Sequence, residues 1–173
     1  MNELLTFKRH GEPETTGKPL HYTMSGLDDV YLFNGFEIET IDGEEYITVH
    51  DLDGLWKAIG LHLVRTRKML APKEIKFLRH HMNLTQAELA GRMRVTDQTV
   101  ARWEKGTTEL SGPADTMLRA LFLDSEIAQP EGAQQRIGEL VKEIVEQDEL
   151  DAKPAMFEHG RKWKQSKREL QVA

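Results

Sequence analysis

The 173-residue sequence contains no cysteine. Without thiols, the chain can form no disulfide and no cysteine-ligated zinc or iron–sulfur site. Its length suits one domain or two small ones, which packing, hydrogen bonds and ion pairs must hold together. We predict no metal site and no cofactor.

Long apolar runs are also missing. No run approaches the roughly 18 residues that a membrane-spanning helix needs. The first residues, MNELLTFKRHGEPE, lack the apolar core of a signal peptide. These absences predict a soluble, cytoplasmic protein without a membrane partner.

Motifs that carry catalysis are absent as well. The sequence has no glycine-rich phosphate loop, no nucleophile elbow and no metalloprotease helix. His80 and His81 are adjacent, so on a helix they point to different sides and do not converge on a metal. We predict that the protein is not an enzyme.

The charge of the chain is unevenly distributed around a net value of −6. Residues 1–60 carry 4 Lys or Arg against 12 Asp or Glu, whereas residues 61–130 carry 11 against 8. Residues 131–151 are again acidic and residues 152–173 basic. Basic segments suit contact with phosphate, and the acidic ones suit solvent or a basic protein partner.

The stretch from Leu84 to Gly106 predicts two short helices joined by a tight turn. Thr85 and Glu88 have the spacing of a capping box, and Thr96 is suited to cap a second helix that ends at Gly106. The inward positions of the second helix are Val100 and Trp103, and its polar residues face outward. This arrangement is that of a helix-turn-helix DNA reader.

The stretch resembles the Cro/repressor-type (XRE) helix-turn-helix family. The matching residues are Thr85, Gln86, Leu89, Ala90, Val95, Thr96, Thr99, Val100, Trp103, Glu104, Lys105 and Gly106. The resemblance implies a five-helix domain over residues 70–125. The alternative is an ordinary helical hairpin, but packing alone does not require Gln86, Gln98 and Arg102 on the outer surface.

Roles follow from position in the motif. The predicted base-reading residues are Asp97, Gln98 and Arg102, because Gln pairs bidentately with adenine, Arg with guanine, and Asp accepts from cytosine. The predicted DNA-backbone contacts are Thr85, Gln86, Thr96, Thr99, Lys105, Thr107 and Thr108. The resemblance also implies a structural ion pair between Arg79 and Glu104 that orients the recognition helix; the alternative is two surface charges.

The region before this domain predicts a small antiparallel β-ribbon and a linking helix over residues 20–69, after a flexible arm over 1–19. Asn34-Gly35 and Asp42-Gly43 are hairpin turn signals. The linking helix begins at a cap, Asp51 or Asp53, and carries a stripe at helical spacing: Leu52, Leu55, Ile59 and Leu63.

This region and the following motif together resemble MqsA/YgiT-type antitoxins and regulators, in which a zinc ribbon precedes a Cro/repressor-type domain. Residues 39–44 read Glu-Thr-Ile-Asp-Gly-Glu where that family has a cysteine pair, and the other pair is also absent. Carboxylates substitute poorly for thiolates in a closed tetrahedral zinc site. We therefore predict a ribbon without metal.

An amphipathic helix is predicted over residues 131–151. Its apolar face, which includes Ile137, Val141, Ile144 and Val145, predicts either a dimer seam or packing on the same protomer. Residues 152–173 are predicted to be a basic tail, either solvated or helping to hold phosphate.

The predicted fold class is mainly α (α+β). The predicted function is sequence-specific binding of double-stranded DNA by a transcription regulator, an autoregulatory repressor that acts as a homodimer on a palindromic operator. One form of this hypothesis is the antitoxin of a type II toxin–antitoxin system, with a cognate toxin as partner. The alternatives are a free-standing phage or accessory-element regulator, and a protein-interaction module with vestigial DNA binding.

Overall fold

The computed structural model describes residues 18–126 and 154–168. The chain divides into two compact units, which we call the strand unit (residues 1–58 and 154–173) and the helical unit (residues 59–153). Their described residues form six β-strands and five α-helices, so the predicted α+β fold class is confirmed. Among them, no helix has both the length and the apolar composition needed to cross a membrane.

The strand unit contains two small sheets. The strands are β1 (Leu20–His21), β2 (Val30–Leu32), β3 (Phe36–Ile41), β4 (Glu44–Val49), β5 (Ala155–His159) and β6 (Trp163–Gln165). Among the strands of the described residues, one sheet has the order β1-β2-β5-β6, and the other consists of β3 and β4. The buried apolar residues of the unit are Tyr22, Leu27, Val30, Leu32, Phe33, Leu55, Ala155, Phe157 and Trp163.

Of the two predicted hairpin turns, one is confirmed and one is wrong. Asp42 and Gly43, at φ 54° and 86°, form the tight turn of the β3–β4 hairpin. Asn34 and Gly35 instead lead from one sheet into the other, because β2 pairs in parallel with β5 and not with β3. The Asn34 side chain donates to the His159 carbonyl at 3.0 Å and accepts from the His159 amide at 2.6 Å.

The prediction of a tail over residues 152–173 is also wrong where the structure describes it, since residues 155–159 and 163–165 are strands. The reason is burial: Phe157 is 1% exposed and Trp163 is 7% exposed. The Trp163 indole donates to the carbonyl of His50 at 2.8 Å. The sheet is therefore mixed rather than purely antiparallel, and residues 20–69 do not complete it alone.

Two predicted segments lie outside the described residues. They are the flexible arm, apart from its last two residues, and the helix over 131–151 with Ile137, Val141, Ile144 and Val145. The dimer seam predicted on that helix stays a prediction.

The five helices are α1 (Leu52–Thr66), α2 (Pro72–His81), α3 (Gln86–Met93), α4 (Asp97–Lys105) and α5 (Gly112–Glu126). Asp51 caps α1 by accepting from the Gly54 amide at 3.1 Å, and Pro72 occupies the first turn of α2. Between α4 and α5 the described chain forms no helix. Residues 70–125 thus contain four helices, α2 to α5, rather than the five expected, and the end of α1 supplies a fifth helix to the helical unit.

The core of the helical unit is apolar. Its buried residues are Ile59, Leu63, Val64, Leu70, Ile75, Phe77, Leu78, Leu84, Leu89, Ala90, Val100, Trp103, Leu110, Leu118, Phe122 and Leu123. The stripe predicted on α1 is buried at Leu55, Ile59 and Leu63, but Leu52 is 44% exposed at the first turn of the helix.

A buried polar network crosses this core. The Arg119 side chain is fully buried, and its Nε donates to Asp115 at 2.6 Å. Its two terminal nitrogens donate to the carbonyls of Val64 and Arg67, each at 2.8 Å. Asp115 also accepts from the Leu70 amide at 3.0 Å. The network therefore joins α5 to the connection between α1 and α2.

Candidate nucleic-acid interface

Both ends of α4 are capped, and one face of the helix is buried. The Thr96 hydroxyl accepts from the Thr99 amide at 3.2 Å, which caps the N-terminus. Gly106, at φ 70°, ends the helix in the left-handed region that glycine adopts readily. Val100 is fully buried and Trp103 is 5% exposed. The sequence of α4 therefore determines where the helix begins and ends and which of its faces packs inward.

The opposite face of α4 is open to solvent. Asp97, Gln98 and Arg102 are all exposed. The Asp97 carboxylate accepts from the Gln98 amide at 2.8 Å, so it partly satisfies the N-terminus of its own helix. The side chains of Gln98 and Arg102 form no hydrogen bond or ion pair with other described residues. Their donors and acceptors are therefore available to a base edge.

Two of the threonines predicted to bind phosphate already donate their hydroxyl hydrogens. The Thr85 hydroxyl donates to Glu88 at 2.8 Å within the capping box of α3, and the Thr107 hydroxyl donates to the Arg102 carbonyl at 3.2 Å. Phosphate accepts hydrogen bonds, so these contacts would require the internal bonds to break. The two hydrogen bonds from Thr85 also hold the pKa of Glu88 below its ordinary value.

The remaining predicted backbone contacts keep free donors. The Thr96 and Thr99 hydroxyl oxygens lie 2.8 Å apart, so one hydroxyl donates its hydrogen to the other. The hydrogen of the accepting hydroxyl remains available to an external acceptor. Lys105 and Thr108 are exposed, and within the described ranges their side chains form no hydrogen bond or ion pair. These four residues fit phosphate contact better than Thr85 and Thr107.

The side chains of Arg79 on α2, Gln86 on α3 and Glu104 on α4 contact one another. Arg79 Nε lies 2.5 Å from Glu104 Oε1, and Nη2 lies 3.1 Å from Oε2. Gln86 Nε2 donates to the same Oε2 at 2.8 Å. Arg79 Nη1 also donates to the Leu84 carbonyl at 2.7 Å. The side chain of Gln86 thus contacts the ion pair. Only the Gln86 backbone, at the start of α3, still suits a phosphate contact.

The environment keeps Glu104 ionised. Burial is the largest influence on its pKa and acts to raise it. Hydrogen bonds from Arg79 and Gln86, together with the charge of Arg79, act in the opposite direction and outweigh burial. The resulting pKa lies below its ordinary value. A charged Glu104 is what the two-point contact with Arg79 requires.

His80, which the sequence suggested only as a candidate metal ligand, also belongs to this group. Its Nε2 lies 3.1 Å from Arg79 Nη2 and must accept, because arginine carries only donors. Burial, followed by the charges of Arg79 and Lys76, lowers the pKa of His80 against the opposing charge of Glu104. No sequence signal pointed to this contact, because adjacent residues on a helix ordinarily point to different sides. Across the described part of the chain, no three His, Asp or Glu side chains are grouped to hold a metal.

The comparison with known families agrees with this geometry. Residues 75–114 match the family model described as Helix-turn-helix, which is of the XRE type. The matched segment runs from α2 into the start of α5 and contains all of α3 and α4. The match supports a DNA-binding domain of a transcription regulator. The matched family is regulatory and not enzymatic. No curated protein and no solved structure matches the chain significantly.

Proposed function

We propose that this protein is a sequence-specific DNA-binding transcription regulator that reads base edges with α4. The observation that carries the proposal is the contrast between the two faces of that helix. Val100 and Trp103 are buried, whereas Gln98 and Arg102 are exposed with uncommitted donors and acceptors. A rigid helix that offers an amide and a guanidinium to solvent is suited to the major groove.

The residues divide into those that specify sequence and those that position the helix. Gln98 and Arg102 specify sequence through adenine and guanine, and Asp97 adds an acceptor near a cytosine amino group. Thr96, Thr99, Lys105 and Thr108 position α4 on the phosphates, as does the N-terminal backbone of α3 at Gln86. Thr85 and Thr107 act mainly through the caps they form.

We extend the proposal to a homodimeric repressor of its own gene. Helix α4 has nine residues, so one copy contacts a single half-site. A symmetric pair would place two such helices about 34 Å apart on a palindromic operator. Ile137, Val141, Ile144 and Val145 belong to the proposed dimer surface.

A second candidate is that the regulator is also an antitoxin with a basic protein partner. The β3–β4 hairpin supports it, because residues 36–49 contain five Asp or Glu and no Lys or Arg. The same hairpin exposes Ile38, Ile41 and Tyr46 to about half of their area. Exposed apolar residues among like charges are typical of a protein-binding surface. Without such a partner, the protein is a free-standing regulator.

The base-reading role is tested by fluorescence-anisotropy titration of DNA from upstream of the protein's own coding sequence. A scrambled duplex of the same composition measures discrimination. Each good bidentate contact contributes about 1–3 kcal/mol, so Gln98→Ala/Arg102→Ala should lose discrimination by roughly thirtyfold or more. Lys76→Ala, which removes one exposed charge from α2, is the matched control. Equal binding of both duplexes by the wild type would overturn the proposal.

A further inference from the structure

The β5–β6 hairpin carries a concentration of positive charge within an otherwise acidic unit. We call residues 154–168 the basic hairpin. It contains a single acidic residue, Glu158, and five cations: Arg161, Lys162, Lys164, Lys167 and Arg168. All five cations are exposed. By contrast, residues 18–58 of the strand unit contain two lysines and nine Asp or Glu.

Only part of this charge is neutralised within the strand unit. Glu158 lies 3.0 Å from the Lys164 ammonium and 3.9 Å from Arg168 Nε. Arg168 also stacks over the Phe33 ring at 5.5 Å. The side chains of Arg161, Lys162 and Lys167 form no hydrogen bond or ion pair among the residues that the structure describes. Three cations of the basic hairpin are therefore available to an external anion.

The backbone beneath these cations is well supported. Strand β5 pairs with β2 on one side and with β6 on the other. The Ser166 amide donates to the Met156 carbonyl at 2.7 Å, and buried Phe157 and Trp163 anchor the two strands. Arg161 and Lys162 lie in the turn between β5 and β6, which the Gly160 amide closes by donating to the Lys162 carbonyl at 3.2 Å, and Lys167 lies two residues after β6. The paired strands thus restrict the backbone positions of these cations before a partner binds.

We propose that the basic hairpin is a second DNA-contact surface, which binds the phosphate backbone without reading bases. The inference rests on DNA as the partner of the proposed function, and it adds a contact outside the helix-turn-helix domain. Cations held next to paired strands neutralise phosphates and release counterions, which increases affinity for any sequence.

The composition of the basic hairpin favours DNA over an acidic protein. The exposed large apolar residues of the described chain all lie elsewhere: Met24, Ile38, Ile41, Tyr46, Leu52, Met69 and Met117. Protein interfaces are centred on buried apolar and aromatic residues, and the aromatic residues of the basic hairpin already pack inside the strand unit. Protein–DNA interfaces are polar and positively charged, which is the chemistry that this hairpin exposes.

The test compares the salt dependence of DNA binding by two full-length triple variants with equal net charge. The first, Arg161→Gln/Lys162→Gln/Lys167→Gln, removes the three available cations. The second, Lys18→Gln/Lys57→Gln/Lys73→Gln, removes three exposed lysines that lie outside the basic hairpin. Affinity for a mixed-sequence duplex is measured between about 50 and 200 mM salt. Log affinity falls as log salt rises, and each lost phosphate contact makes the slope less negative by about 0.9.

The hairpin variant should make that slope less negative by up to about 2.7 relative to the wild type, and the control should leave it nearly unchanged. Discrimination between operator and scrambled DNA should stay the same, since phosphate contacts carry no sequence information. Added duplex should also slow hydrogen exchange at the turn over Gly160–Lys162 in the wild type. Near-ultraviolet circular dichroism, to which Trp163 contributes, verifies that the aromatic packing of the variant is unchanged.

Two outcomes would overturn the inference. One is a slope in the hairpin variant that equals the slope of the control. The other is a loss of self-association in the hairpin variant without DNA, measured by light scattering, which would mean that the surface binds a second copy. Failure of the base-reading proposal is distinguishable from failure of this inference. In that case the wild type would bind operator and scrambled DNA equally, while the salt dependence of mixed-sequence binding would still report on the hairpin.

Discussion

Arg79 on α2 and Glu104 on α4 meet in a two-point ion pair, with the Nε–Oε1 distance at 2.5 Å and the Nη2–Oε2 distance at 3.1 Å. Both side chains are less than a tenth exposed. Because Gln86 donates to the same carboxylate, the pair joins three helices. The pair therefore helps to fix the position of α4 against α2 and α3.

Arg79→Met should destabilise the protein by about 3–5 kcal/mol, because it leaves the Glu104 carboxylate buried without a counter-charge. Chemical denaturation measures the change. Arg79→Met/Glu104→Leu removes both charges and should recover part of the loss, which makes the effect non-additive. A cost below about 1 kcal/mol for the single variant would mean that solvent already screens the pair.

Glu104 should also contribute to acid sensitivity. Its pKa is lower in the folded protein than the ordinary value of 4.5, so the unfolded chain takes up the proton first as pH falls. The contribution is complete well above pH 4.5 and is lost as pH falls through that value toward the folded pKa. Glu104→Gln should show a smaller loss of unfolding free energy between neutral pH and mild acid than the wild type.

Urea denaturation at several pH values measures this difference. Glu109→Gln is the control, since Glu109 is an exposed carboxylate in the same unit. Parallel pH profiles for the wild type and Glu104→Gln would contradict the assignment.

The helix-turn-helix was predictable because its signals are local. The capping box of Thr85 and Glu88, the cap at Thr96 and the glycine at Gly106 each act within four residues of the helix end that they form. The inward faces follow from helical periodicity, as Val100 and Trp103 show. A contact that depends on a few neighbouring residues leaves a pattern in the sequence.

The strand pairing was not predictable for the opposite reason. Leu32 of β2 lies beside Phe157 of β5, more than one hundred residues later, and neither strand is long enough to show a period. Asn34 has the composition of a hairpin turn, but its side-chain partner is the backbone of His159. Gln86 is similar, since its contact with Glu104 exists only once α3 and α4 have packed.

Gly35 and Gly43 offer a matched test of this pairing. Both have positive φ, at 75° and 86°, so an alanine at either costs about 1–2 kcal/mol in backbone strain. A Cβ at Gly43 would meet nothing within 4 Å, but at Gly35 it would lie 2.6 Å from the His159 Cβ. Overpacking of this kind adds about 1–3 kcal/mol.

Gly35→Ala should therefore destabilise the strand unit more than Gly43→Ala does. Hydrogen exchange of the β5 and β6 amides, followed at increasing urea concentration, reports on the strand unit. Equal losses of stability in the two variants would mean that β5 does not pack against the turn after β2.

Loss of the Asp115 charge should lower the free energy of unfolding by more than an exposed i,i+4 ion pair would contribute. Arg119 and Asp115 form an i,i+4 pair, which on a helix surface contributes only a few tenths of a kcal/mol. Here both side chains are buried, so Asp115→Asn leaves a fully enclosed guanidinium without a counter-charge. The variant keeps an oxygen for the Leu70 amide, which isolates the effect of charge.

We expect Asp115→Asn to cost about 3 kcal/mol or more in urea denaturation. Asp124→Asn, an exposed position on the same helix, should change stability by no more than about 0.5 kcal/mol. Similar effects at the two positions would show that the Val64 and Arg67 carbonyls alone stabilise the cation. In that case α5 would be held to the connection before α2 by neutral acceptors, and Asp115 would act only as a cap for the Leu70 amide.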